Sequence, residues 1–224
     1  MPVFTHRPRS SLPLTDLGWV RMTDHFVQTV GAGAGNGQAL GDLLVLADAT
    51  FAPKSRFPLH PHRDMEIVSV VLSGELTHHE PDTSTALPAA SVQLMSARDG
   101  IVHAEGNVTD APTRMLQLWI TPNQSGGPAV HRIFGPFTLK STLTRVTPDD
   151  LRQDASVSMA KLAAGEQLAL EPKPGRRLYV LCAGEAKLGA LAIADGDGVT
   201  LAGGAATFTA AAGGATLVVI DTRT

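Results

Sequence analysis

Apolar positions along this chain fall in short runs, not in stripes of helical period. Residues 43–46, 67–72, 91–95, 115–120, 178–182, 198–201 and 216–220 are rich in Val, Leu, Ile and Thr and are bounded by Gly, Pro or Asp. Such runs predict strands separated by turns, and many of them in series predict an all-β sandwich or barrel. The best helix candidate is short, residues 148–151, with Thr147 as N-cap, Pro148 at the first helical position and acids in the first turn. The stretch PNQSGGP (122–128) predicts a loop.

Beyond that loop the pattern changes. From Ala160 onward the chain is dominated by Ala, Gly and Leu, as in LAGGAATFTAAAGG. Interleaved Val, Leu and Phe favour tightly packed strands there over a low-complexity linker. A boundary near residues 126–140 is therefore expected, dividing the chain into domains 1–135 and 136–224.

Composition narrows the class. The chain has 224 residues, 43% of them hydrophobic, with a net charge of −3. It carries no basic cluster, which argues against nucleic acid or an acidic membrane surface as partner. The opening MPVFTHRPRSSLPLTD has no apolar core of signal-peptide kind, and no apolar run approaches ~20 residues. Cys182 is the single cysteine, in the apolar run LYVLC, so it is expected to be a buried, inert small hydrophobe with no disulfide partner within the chain. These features point to the cytoplasm.

Histidine placement is more informative. All eight (residues 6, 25, 60, 62, 78, 79, 103 and 131) lie in the first 131 residues, so metal chemistry belongs to the first half. His60 and His62 enter a strand-like run two residues apart, and His103 and Glu105 repeat that spacing. Side chains at i and i+2 of a strand share one face, about 7 Å apart, from which two imidazoles can lean onto one ion at about 2.1 Å each. Two neighbouring strands that each offer a pair to a barrel interior give four converging ligands. Composition alone yields roughly 0.3 H-x-H by chance, so either pair by itself is weak evidence. Context adds to it: Gly74 stands twelve residues after His62, where a turn must end a strand, and Gly100 three before His103.

On these residues the chain resembles the cupin superfamily, whose first motif holds H-x-H followed by Gly and whose second holds G-x-x-H. Within it the chain is similar to the pirin family, especially bacterial pirin-like proteins with quercetinase activity. The match is carried by FPLHPHRDMEIVSVVLSGEL (57–76), MSARDGIVHAE (95–105) and LQLWITP (116–122), with LGW (17–19) and QDA (153–155) beside them. It runs from about residue 17 to 155, and the remainder fits a second cupin domain without metal. The resemblance thus implies two tandem jelly-roll-like barrels with few short helices. It also bears on the fourth ligand. Many cupins use a first-motif glutamate, for which Glu66 is the candidate, but Glu66 lies four residues after His62 and not the usual five. In pirin-like proteins the carboxylate comes from the second motif, which here is Glu105.

Relatives read close to SAGTGIRHSEYN where this chain reads SARDGIVHAEGN, so Arg98 and Asp99 alter the turn, and Ala104 and Gly106 remove a hydroxyl and an aromatic ring close to the site. Among the surrounding residues, Glu66 is expected to support a ligand or pair with a cation. Phe57 and Pro58 shape a pocket mouth or form a plain turn. Gln117 shares a strand face with Trp119, where core packing is expected ahead of the alternative, a place in the pocket beside the substrate. His78 and His79 are adjacent and face opposite sides of a strand, so at most one points inward; solvent exposure is the default for His78, support of the ligands its alternative.

Three neutral imidazoles and one carboxylate leave a six-coordinate divalent ion two open positions, which suits Fe(II) oxygen chemistry more than a closed structural zinc site. Mn, Ni, Co, Zn and Cu also fit such donors. The resemblance implies a dioxygenase that binds a flavonol through its deprotonated hydroxyl, with Glu105 as general base, and opens the ring with O2 and release of carbon monoxide. It also carries a second reading, a metal-bearing regulatory protein whose iron redox state tunes binding to a transcription factor or metabolic enzyme. A storage-type cupin is disfavoured by the intact ligands and small size.

Overall fold

The computed structural model describes residues 2–224. It is almost wholly antiparallel strand, and its two compact units are each described by themselves. One comprises Pro13–Thr138 with Asp150–Gln153; the other joins the N-terminal stretch through Leu12 to Leu139–Asp149 and Asp154–Thr224. The N-terminal strand Val3–Arg7 therefore belongs with the C-terminal unit, where the sequence reading placed it in the first domain. It pairs antiparallel with Gly198–Gly203 and is pinned there by His6 Nε2 at 2.8 Å from an Asp197 carboxylate oxygen.

In the first unit a seven-stranded sheet runs in the order Val130–Phe134, Val92–Ser96, Glu66–Ser73, Thr113–Ile120, Leu43–Phe51, Val20–Asp24, Leu14–Asp16. A five-stranded sheet holds Ser55–Arg56, Ile101–Asn107, Glu75–His79 and Ser84–Pro88, with His60–His62 paired to Ile101–Asn107. The sheets meet face to face, since Val45, Phe51, Val71 and Met115 of the first share one buried cluster with Leu76 and Leu87 of the second. Gly74 joins strands of the two sheets at φ +75°; a Cβ there would sit 2.7 Å from the Pro112 carbonyl oxygen, so only glycine makes this turn.

Register across the larger sheet places the site. Gln93 lies opposite Ser69, Ser69 opposite Gln117, Gln117 opposite Ala47, and Ala47 opposite Asp24. Side chains in such a cross-strand row share a face. Four of these five are polar, and they form a stripe across a face otherwise lined by apolar side chains such as Val45, Phe51, Val71 and Met115.

The second unit is one eight-stranded sheet dominated by the long strands Arg176–Leu188 and Ala206–Arg223. Its Ala/Gly-rich tract is packed strand. Gly184 at φ +109° lets the two strands kink together, because a Cβ there would meet the Gly214 carbonyl oxygen at 2.7 Å.

All seven apolar runs lie in strands or at their edges, and residues 122–128 form a loop. The helix expected at 148–151 is absent: the segment is a turn. Four residues cannot offset the cost of helix nucleation. Thr147 Oγ1 instead accepts from the Val157 backbone N–H at 3.0 Å, and Asp150 pairs with Arg132 at 2.5 Å. The one helical element among the described residues is a single 3-10 turn, Arg9–Ser11.

Candidate metal centre and adjoining cavity

Pairing of His60–His62 with Ile101–Asn107 sets His60 opposite His103 and His62 opposite Ile101. Alternation along the strands then turns His60, His62, His103 and Glu105 towards the other sheet. The three histidine rings gather with centroids 4.6 Å (His60–His103), 4.9 Å (His60–His62) and 5.1 Å (His62–His103) apart. Each offers a nitrogen within 4.8 Å of the other two.

These nitrogens are free to bind. His60 Nδ1 is 2.9 Å from the Pro58 carbonyl oxygen, to which it donates, leaving Nε2 as a lone pair. His62 Nε2 and both ring nitrogens of His103 are buried with no hydrogen-bond partner. Burial, reinforced by the charge His60 would carry, pushes the His62 pKa down to about 4, and burial with its histidine neighbours pushes His103 to about 2. Both are therefore neutral donors near pH 7. Orphaned, buried, neutral imidazole nitrogens turned towards one another are costly unless a cation fills the space between them. The group fits a divalent metal ion.

Glu105 is wholly buried and held differently. Its Oε1 accepts from Ser69 Oγ at 2.7 Å and Gln93 Nε2 at 2.8 Å, and its Oε2 accepts from Gln117 Nε2. Three of the four polar residues in the cross-strand row thus converge on this one carboxylate. Burial raises its pKa to about 7, with the three hydrogen bonds pulling the other way. One of its oxygens lies within 4.8 Å of a ring nitrogen of His103 and of one of His78.

The remaining candidates divide. Glu66 turns away from the histidines, accepting from Ser96 Oγ and, at 3.3 Å, from the Arg152 backbone N–H; it anchors a loop. Phe57 lies against Trp19 at 4.8 Å and Phe51 at 5.7 Å, and its N–H bonds the Glu105 carbonyl at 2.9 Å. Gln117 and Trp119 do more than pack a core. With Phe57, His60 and Glu105 they line a cavity of about 260 Å³, closed on its apolar side by Met22 and Val30.

Three expectations need correcting. His78, assigned to solvent by default, is 1% exposed and stacks on His103 at 5.3 Å, because it is the member of the His78–His79 pair that alternation turns inward. Ala104 and Gly106 face away from the site, on the opposite side of the strand from His103 and Glu105. Nor is there room for a ring at 106: a Cβ on Gly106 would lie 2.2 Å from Arg56 Cβ and 2.5 Å from the Ser55 carbonyl oxygen. Gln93 and His131 were not singled out at all. A lone amide inside the apolar run SVQLM was the available signal for Gln93; His131 lies outside every motif.

Two barrels of antiparallel strands, the first carrying an H-x-H and G-x-x-H donor set, define a two-domain cupin. A family model described as Pirin matches residues 6–120, and one described as Quercetinase C-terminal cupin domain matches 144–222. The chain belongs to the pirin family. A pirin-like protein of Caulobacter vibrioides is 33% identical over 231 residues, 96% of this chain and 97% of that one. Quercetin 2,3-dioxygenase of Escherichia coli K12 is 36% identical over 86 residues, 38% of this chain and 37% of that one. The crystal structure of the bacterial pirin YhhW from E. coli in complex with nickel(II) has a TM-score of 0.86 and 23% identity, covering 99% of both chains.

Proposed function

We propose that this protein is a metal-dependent dioxygenase that opens a flavonol-type ring with O2, His60, His62 and His103 holding the ion and Glu105 completing the set or acting as base beside it. The observation that carries this reading is the junction of the three-histidine group with a cavity whose other walls are Phe57, Trp119 and Met22. A cavity of about 260 Å³ lies near the small end for organic ligands, so it suits one compact aromatic molecule. The family model for the C-terminal half and the E. coli relative, both named for quercetinase activity, support the substrate class.

A bound divalent ion would supply Lewis acidity towards the substrate oxygen and, with Fe(II), reactivity towards O2. The chain's own part is orientation and proton transfer. Phe57 and Trp119 supply apolar walls against which a planar ring can pack, with water kept out. Glu105, a buried carboxylate on the wall of the cavity beside the histidine group, is placed to take the proton of an acidic enol hydroxyl. Ser69, Gln93 and Gln117 fix the carboxylate while it does so. Fe(II) is the proposed native ion; the nickel(II) complex of the E. coli pirin YhhW makes Ni(II) a necessary comparison.

The test is anaerobic reconstitution with Fe(II), Ni(II), Mn(II) or Co(II), then quercetin under air. Metal-dependent loss of the flavonol absorbance is expected, falling below about 1% of wild type in His62→Ala, since even partners behind a ligand are worth 10–100-fold. Glu105→Gln should retain metal and lose most turnover. Fully metallated protein that leaves quercetin intact with every ion would sink the substrate assignment and turn attention to the regulatory reading.

A further inference from the structure

His78, Glu80 and His131 form a second donor group that the proposed chemistry does not use. His78 belongs to the strand Glu75–His79, Glu80 follows it directly, and His131 comes from Val130–Phe134, the edge strand of the larger sheet. His78 Nε2 and His131 Nδ1 each lie 3.2 Å from the same oxygen, Glu80 Oε1. One donor atom from each of the three falls within 4.8 Å of the others. Ligand atoms bound tetrahedrally at about 2.0–2.1 Å sit about 3.3 Å apart, so two edges of such a polyhedron are already in place.

The hydrogen bonds behind His131 point the same way. Gln93 Nε2 donates to Glu105 Oε1, which turns the Gln93 carbonyl oxygen to His131 Nε2 at 3.0 Å. An amide oxygen only accepts, so His131 Nε2 carries the proton. In the neutral ring Nδ1 is then a bare lone pair aimed at a carboxylate oxygen, two acceptors face to face. A cation between them removes the repulsion. An N–H···O=C bond from the far ring nitrogen is also the usual support behind a metal-binding histidine. The His78 and His131 side chains are 2% and 19% exposed and that of Glu80 35%, so the group has a buried floor and a solvent entrance.

We propose that His78, Glu80 and His131 bind a second divalent cation of the Zn(II) class, with solvent in the fourth position. Two imidazoles and one carboxylate are a borderline donor set that selects such ions over Ca(II) or Mg(II). The His78 ring touches His103, and Gln93 bridges His131 to Glu105, so this ion would adjoin the three-histidine centre without sharing its ligands.

Zn(II) titration of the chelator-stripped full chain, read by native mass spectrometry and calorimetry, tests this. Two ions per wild-type chain are expected, one in His60→Ala/His62→Ala and one in Glu80→Gln/His131→Gln. Glu80→Gln alone, a neutral isostere at a half-exposed position, should weaken the second ion at least about 10-fold with an unchanged circular dichroism spectrum. Should the double variant fold poorly, the single one carries the test, and Co(II) visible absorption in His60→Ala/His62→Ala reports the second site alone. One ion in wild type and none in His60→Ala/His62→Ala overturns the second site and leaves the three-histidine reading intact. One ion that survives His60→Ala/His62→Ala and is lost in Glu80→Gln leaves the second site standing and sinks that reading. Two ions retained in Glu80→Gln with undiminished affinity also overturn the proposal.

Discussion

The interiors of the two units are built from similar strands and filled in opposite ways. In the C-terminal unit the buried side chains are Phe208, Leu201, Val199, Leu217, Cys182 and other apolar groups, with Thr147, Asp197 and Thr222 the buried polar exceptions among the described residues. In the first unit an apolar cluster around Phe51, Val71 and Leu76 gives way to His103, Glu105, Gln93 and Ser69, all at most 2% exposed. The first filling follows from burial alone, at roughly 25 cal/mol per Å² of apolar surface. The second leaves His62 and His103 nitrogens without partners, each a cost that burial does not recover. The polar filling of the first unit therefore costs stability that the apolar filling of the other does not.

Cutting the apolar interior should give the largest effect. Phe208 is wholly buried, and Phe208→Ala removes a large side chain from a packed core, a loss of about 3–5 kcal/mol. Urea unfolding should show that drop while metal stoichiometry in the remaining folded protein stays at the wild-type value. Loss of metal in parallel with the melt would mean that the two interiors are not separable in this way.

The converse substitution should change sign. His103→Leu replaces two unpartnered buried nitrogens with a side chain of similar bulk, so the chelator-treated protein should gain about 1–3 kcal/mol. With saturating metal the order reverses, because only wild type gains the binding free energy. A destabilised His103→Leu in chelator would show that the histidines are satisfied by something other than an ion.

How far the sequence reveals this contrast depends on how local each feature is. Strands were legible because short β-branched runs between turn residues carry their own signal. The pairs His60/His62 and His103/Glu105 were legible because i, i+2 spacing fixes a shared face without knowledge of any neighbour. Gln117 was legible as a pocket candidate, but its convergence with Gln93 and Ser69 on one carboxylate was not, because that depends on strand register between segments 24 residues apart or more in the chain. The burial of His78 was lost for a related reason: adjacent histidines declare opposite faces, but only the partner strand decides which face is inside. Residues 147–151 carry cap and first-turn signals, but no run of helical period follows to extend them, and the segment stays a turn.

Asp24 ends the same cross-strand row as Gln117, and it offers the finest test of the contrast. It is wholly buried, and neither carboxylate oxygen has a hydrogen-bond partner. Burial raises its pKa from 3.8 to about 6, and the Thr29 backbone N–H, near the carboxylate but outside hydrogen-bond geometry, offsets only a small part of that. The folded state thus holds a proton that the unfolded chain has released between those values. A raised carboxyl pKa favours folding below about 3.8, and that contribution is lost as pH rises through 6. Asp24→Asn removes the charge and keeps the shape. Its stability should come close to wild type near pH 4 and exceed it by about 3 kcal/mol at pH 7, the gap opening between pH 4 and 6. Denaturant melts of both proteins across that range decide the matter. Parallel curves would mean that Asp24 is not a charge buried at a cost, and that the polar side of this barrel ends at Gln117.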